Sequence, residues 1–209
     1  MKPNILFILI DGLRSDKFYG KNKTSLSPNI DSLISNGVYF DHVISSSDAT
    51  RTCVGSILTA DYPFRTGLNT FFNHQKSTLY FDHLKRQGYS LFATTPDVDF
   101  WQTLTKNFDG KDLFPKPYVY LFGGTGKEIL KRLEYVSDFQ PWIYYVHIMD
   151  LHRSVNFPLP ENFQNEKFGM NSYEKMVSGI DHWIGKILEK IDLTKTLIVI
   201  TSDHGDFIP

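Results

Sequence analysis

The sequence predicts an α/β fold, a three-layer sandwich with a mainly parallel central sheet, and three observations predict it. Short β-branched runs, such as PNILFILI near the start and TLIVIT near the end, alternate with amphipathic stretches in the order βαβα. The runs are almost continuously apolar, as strands covered on both faces are. Turn-forming residues then close them. A chain of 209 residues, 41% hydrophobic and 15% aromatic, can fill one sizeable core, so residues 1–209 read as a single domain.

Each element follows from a local signal. After the first strand, Ser27 and Pro28 give an N-cap with proline at the first helical position, and Ile30, Leu33 and Ile34 keep helical spacing until Gly37 stops it. Val38 to Ile44 reads as a strand, Ser45 to Asp48 as a serine-rich loop, and Thr50 to Ala60 as a helix. Thr78 to Gln87 reads as a helix ended by Gly88, and Tyr89 to Ala93 as a short strand. Asp97 to Gly124, rich in aromatics, Pro and Gly, shows no clean period. Gly126 to Val136 is helical, Trp142 to Ile148 a buried strand, Ser172 to Ile191 the longest amphipathic helix, and Thr196 to Thr201 the last strand.

Charge and composition exclude several classes of partner. A net charge of −1 with no long basic run leaves no electrostatic footprint for nucleic acid or anionic lipid. No apolar stretch approaches the roughly 18 residues that span a bilayer, and no cleavage signal follows the first apolar run. That predicts a cytoplasmic or otherwise soluble chain. The single cysteine, Cys53, excludes an intramolecular disulfide and a cysteine-based zinc cluster. GGTGK at 123–127 is no nucleotide loop, because Leu121 stands where glycine is needed and Glu128 where Ser or Thr is. A dinucleotide binder would need a glycine-rich turn after the first strand, where this chain has Asp11, Gly12, Leu13 and Arg14.

The first and last strands of the chain end in ligand-type residues. Asp11 closes the first, and Asp203 and His204 follow the last. Ligands of open α/β sheets bind at strand carboxyl ends, and two carboxylates with an imidazole suit a divalent metal. The alternative for Asp11 is a turn residue at a strand end.

The runs PNILFILIDGLRSDKFYG, SPNIDSLISNGVYFDHVIS, TRTCVGSILTADYPFRTGL and TSDHGD, in that order and spacing, resemble the sulfatase branch of the alkaline phosphatase superfamily. The resemblance implies an alkaline phosphatase-like fold and a metal-dependent hydrolase of sulfate or phosphate esters. Sulfatases carry a Cys or Ser, converted to formylglycine, ahead of a helix ending in Leu-Thr-Gly. Counting back from Leu58, Thr59 and Ala60, that position is Thr50, and the motif's Arg position holds Val54. No formylglycine is therefore expected. A threonine here resembles the phosphodiesterase and phospho-head-group transferase branches, whose side-chain hydroxyl is the nucleophile. The implied metal ligands are Asp11, Thr50, Asp203 and His204. Gly12 and His204 stand where calcium-dependent sulfatases have a second Asp and an Asn, which favours Mn or Zn, with Mg or Ca as weaker fits.

Local chemistry is compatible with this. A threonine hydroxyl becomes a competent nucleophile beside a divalent cation, and unpaired N–H groups at a helix start can cradle a tetrahedral anion. Arg51 offers a charge-assisted contact to the same oxygens. The alternative is that Thr50 only caps its helix. In VHIMDLHR, the resemblance assigns His152 to the substrate oxygens near the leaving group, suited to protonating it. Asp150 joins the substrate-binding set, either orienting His152 or Arg153 or as a solvated turn residue. His147 reads as a core or supporting residue. The substrate class is a small-molecule or head-group ester; transfer to a second alcohol and a non-catalytic metal-binding domain are the competing readings. Family members run to roughly twice this length, with a C-terminal portion bearing a further Lys or His, so the resemblance implies that this chain lacks that portion.

Overall fold

The computed structural model describes residues 2–67, 78–115, 120–152 and 158–206. Five strands form one sheet: β1 (Asn4–Ile10), β2 (Ser90–Pro96), β3 (Gly110–Phe114), β4 (Trp142–Ile148) and β5 (Thr196–Thr201). Their order is β3-β2-β4-β1-β5, and every pairing is parallel. The helices are α1 (Ser15–Phe18), α2 (Pro28–Asn36), α3 (Thr50–Thr59), α4 (Pro63–Thr66), α5 (Tyr80–Arg86), α6 (Asp99–Leu104), α7 (Thr125–Val136) and α8 (Ser172–Leu188).

The alternation of side chains along each strand divides the core into two layers. Leu6, Ile8 and Ile10 of β1, with Tyr144, Val146 and Ile148 of β4, pack with Ile30 of α2, Ile129 and Leu133 of α7, and Ile180 and Ile184 of α8. Leu9, Ile143 and Tyr145 face the other way, onto Val54 and Leu58 of α3, Phe81 of α5 and Phe100 and Trp101 of α6. Helices therefore cover both faces, and β1 and β4 at the centre are the apolar runs the sequence displays. The α2–α8 contact is also polar: buried Asp181 of α8 accepts from the Ile30 N–H at 2.8 Å and the Asn29 N–H at 3.3 Å, satisfying the start of α2. No helix among the described residues is long and apolar enough to cross a membrane.

Val38 to Ile44 is not a strand. Val38, Phe40, Val43 and Ile44 are exposed, and β1 already has β4 and β5 on its two sides. The segment carries β-type residues, but Asp41 and His42 interrupt the continuous apolar run that an interior parallel strand needs. Tyr39 instead rests against Tyr19, ring centroids 4.3 Å apart. The opposite difference falls in 97–124, where α6 and β3 emerge from sequence without a period. α6 has only six residues, and β3 is a half-buried edge strand, so neither is long enough or sided enough to show one.

Candidate metal and ester site

The site lies at the carboxyl ends of β1, β4 and β5. Asp11 follows β1 directly, and its N–H donates to the Ile148 carbonyl of β4 at 2.9 Å, which fixes the end of the strand. Gly12 turns the chain away with φ +71, a left-handed conformation that a side chain disfavours. This explains why a glycine stands beside Asp11. The Gly12 N–H donates to Asp203 Oδ1 at 3.1 Å, and the His204 N–H donates to the same oxygen at 2.9 Å.

Those bonds leave Asp203 Oδ2 buried with no hydrogen-bond partner, and Asp11 Oδ1 is in the same condition. Buried carboxylate oxygens are costly to leave so. His204 Nε2 lies 3.5 Å from Asp203 Oδ2 and 4.0 Å from Asp11 Oδ1. Its other ring nitrogen, Nδ1, is 2.8 Å from the Gly205 carbonyl, which only accepts; Nδ1 therefore carries the proton and Nε2 offers a lone pair. One ligand atom from each of Asp11, Asp203 and His204 lies within 4.8 Å of the others. Two orphaned acidic oxygens and an imidazole lone pair converging at strand ends fit a divalent ion.

The electrostatics are those of a cluster dominated by buried negative charge. Burial raises Asp11, but the hydrogen bond and charge of His147, with His152 and His204, outweigh it and hold the carboxyl below its usual range. Burial, reinforced by the Asp11 carboxylate, pushes Asp203 up. Burial lowers His204, yet the Gly205 carbonyl and the carboxylates of Asp203 and Asp11 outweigh it and raise it. Two carboxylates this close repel, and a divalent cation would relieve both.

Thr50 is the first helical residue of α3, with Ala49 in the N-cap position and no side-chain cap bond there. Its hydroxyl reaches across the chain instead, 3.2 Å from Asp11 Oδ2 and 3.1 Å from His204 Nε2. The capping alternative thus gives way to a hydroxyl held at the acidic cluster. A cavity of about 310 Å³ opens beside Thr50, with Asp11, Arg51 and His152 on its polar side. The Arg51 guanidinium lies 5.7 Å from the centre of the Phe100 ring.

One residue sits differently from the sequence reading. Asp150, expected to contact substrate or orient a neighbour, is buried, and both its carboxylate oxygens accept from the Leu121 N–H at 3.1 and 3.2 Å. It ties the segment before α7 to the end of β4, and burial pushes its carboxyl up to about 7. His147 is the buried, supporting residue that the sequence suggests, and it lies against the site. Its Nε2 is 3.3 Å from Asp11 Oδ2, and its Nδ1 is 3.0 Å from the Tyr145 hydroxyl. A carboxylate only accepts, so Nε2–H donates to Asp11 and the Tyr145 O–H donates to Nδ1. Strand parity brings it there: His147 pairs with Leu9 in register, and both share the face on which Asp11 falls. Arg153 lies outside the described residues.

An all-parallel sheet with an acidic, imidazole-bearing cluster at its carboxyl ends and a hydroxyl at a helix start defines an alkaline phosphatase-like protein. The chain belongs to the sulfatase family: the family model described as Sulfatase matches residues 3–208. No curated relative matches it. Among solved structures it resembles a protein in the alkaline phosphatase superfamily from Vibrio parahaemolyticus, at 17% identity and a TM-score of 0.73, over 99% of this chain and 55% of that one. It also resembles the C-terminal periplasmic domain of EptC from Escherichia coli, at 17% identity and TM-score 0.74, over 98% of this chain and 64% of that one. A third is the lipoteichoic acid synthase LtaP from Listeria monocytogenes, at 13% identity and TM-score 0.72, over 98% and 57%. The chain therefore spans between 55% and 64% of the length of these structures.

Proposed function

We propose that this chain is a metal-dependent hydrolase of phosphate or sulfate esters with Thr50 as its nucleophile. The observation that carries the reading is the Thr50 hydroxyl, turned from its own helix and held between Asp11 Oδ2 and His204 Nε2. Asp11, Thr50, Asp203 and His204 would hold one divalent ion, Mn or Zn by the mixed oxygen and nitrogen donor set. The ion would supply positive charge that favours the threonine alkoxide and offsets charge on the ester oxygens.

The chain's own groups supply the rest. Thr50 sits where its hydroxyl proton has an acceptor in Asp11 Oδ2, so its oxygen can form a bond to phosphorus or sulfur as that proton leaves. Arg51 and the N–H groups at the start of α3 bind the anionic oxygens. His152, lining the same cavity, gives a proton to the departing alcohol oxygen as its bond to phosphorus or sulfur breaks. Water then cleaves the Thr50 ester, returning the hydroxyl and releasing phosphate or sulfate. A second alcohol in place of water would make the same site a transferase, a reading favoured by the threonine at position 50.

Turnover of matched aryl phosphate monoester, phosphodiester and sulfate ester, with added manganese or zinc, tests the proposal. Activity on one class, lost in Thr50→Ala, is the expected result and decides between phosphate and sulfate. Activity retained in the variant, or no activity on any class with metal bound, would overturn it, the latter favouring a non-catalytic metal-binding domain.

A further inference from the structure

Resting on the ester-cleaving reading, we propose that the alcohol half of the substrate is apolar, an alkyl or aryl group docked against a wall of Pro96, Val98, Trp101 and Met149. The strand order separates the wall from most of the candidate metal ligands. Asp11 follows β1 and Asp203 and His204 follow β5, whereas β2, which ends in Pro96, and β4, which Met149 follows, lie on the other side of β1 from β5. Val98 and Trp101 follow from the β2–α6 turn. An ester with its phosphorus or sulfur beside Thr50 and its anionic oxygens toward the metal-side groups therefore presents its alcohol to the wall.

The wall is rigid and dry in character. Trp101 is 5% exposed and stands edge-on to Phe100 at 4.8 Å and to His147 at 4.6 Å, so its ring is fixed from two sides. Met149 is 7% exposed, directly after β4. The polar lining groups Asp11, Thr50, Arg51 and His152 are the candidate reacting set itself, and the wall's own polar group, the Trp101 indole N–H, is buried away from the cavity, so among the described residues the wall offers no accessible side-chain donor or acceptor to the hydroxyls of a sugar. A volume of about 310 Å³ lies at the small end of the roughly 300–1,000 Å³ of ligand pockets, enough for a tetrahedral anion and one compact apolar group. Selectivity in such a pocket comes from apolar contact, where one added methylene is worth about tenfold or more.

The test is binding, by calorimetry, of phenylphosphonate against methylphosphonate, and of benzenesulfonate against methanesulfonate, to manganese-loaded wild type and to Val98→Asn. Val98 is half-buried at the start of α6, so the substitution alters the wall without opening the core. In the pair whose anion binds, the aryl member should bind at least about tenfold tighter, and Val98→Asn should cut that preference several-fold while leaving the methyl member unchanged. The unchanged methyl probe also reports that the variant is folded. Equal affinities in wild type, or a preference that Val98→Asn leaves intact, overturn the apolar wall and leave the ester site standing. Failure of all four probes to bind overturns both.

Discussion

Replacing Asp150 by asparagine should change the pH dependence of stability, and the structure gives the size. Asp150 is 4% exposed, its carboxyl meets the Leu121 N–H and its own backbone N–H, and burial outweighs both and moves it from 3.8 up to about 7. Below pH 4 the group is neutral in both folded and unfolded chains and costs nothing. Between pH 4 and 7 the unfolded chain loses the proton while the folded chain keeps it, so stability falls as pH rises and levels off above 7. Each pH unit between the two values is worth about 1.4 kcal/mol, which sets the total at about 4 kcal/mol. Asparagine keeps an acceptor for Leu121 but cannot ionise, and its unpaired NH₂ costs about 1–3 kcal/mol at every pH. Urea unfolding of both proteins at pH 4 and pH 8 should therefore show the variant less stable at pH 4 and more stable at pH 8, a relative change of about 4 kcal/mol. A difference that does not vary with pH would show instead that these backbone N–H groups suffice to keep the buried carboxylate ionised.

Two further outcomes concern the metal site. His147→Gln, which removes the imidazole between Tyr145 and Asp11, should weaken manganese or zinc binding by about 10–100-fold in calorimetry, with Tyr145→Phe giving a smaller loss; unchanged affinity would mean that Asp11 needs no such support. Gly12→Ala forces a side chain into a φ of +71, which should cost about 1–2 kcal/mol in thermal unfolding and also weaken metal binding by moving the N–H that holds Asp203.

Much of the fold was legible because its central strands are buried on both faces. β4 and β5 have the limits their apolar runs suggest, and α8 ends three residues earlier than its pattern does. The exposed segment 38–44 misled because β-type composition says nothing of whether a sheet has a free edge to offer. α6 and β3 were illegible because short, half-buried elements carry no period. At the site, ligand-type residues at strand ends marked Asp11, Asp203 and His204, and the family resemblance marked Thr50. The role of His147 depended on which strand lies beside β1 and in what register, and Asp150 on a contact with Leu121, 29 residues away. Neither is written in local sequence.

The threonine mechanism stands most directly on a covalent bond to one atom, Thr50 Oγ1. Manganese-loaded protein mixed with the aryl ester it turns over, quenched in acid and digested, should yield a peptide containing Thr50 that carries one phosphoryl or sulfuryl group, absent from Thr50→Ala. Turnover with no such adduct, or an adduct on another side chain, would contradict it.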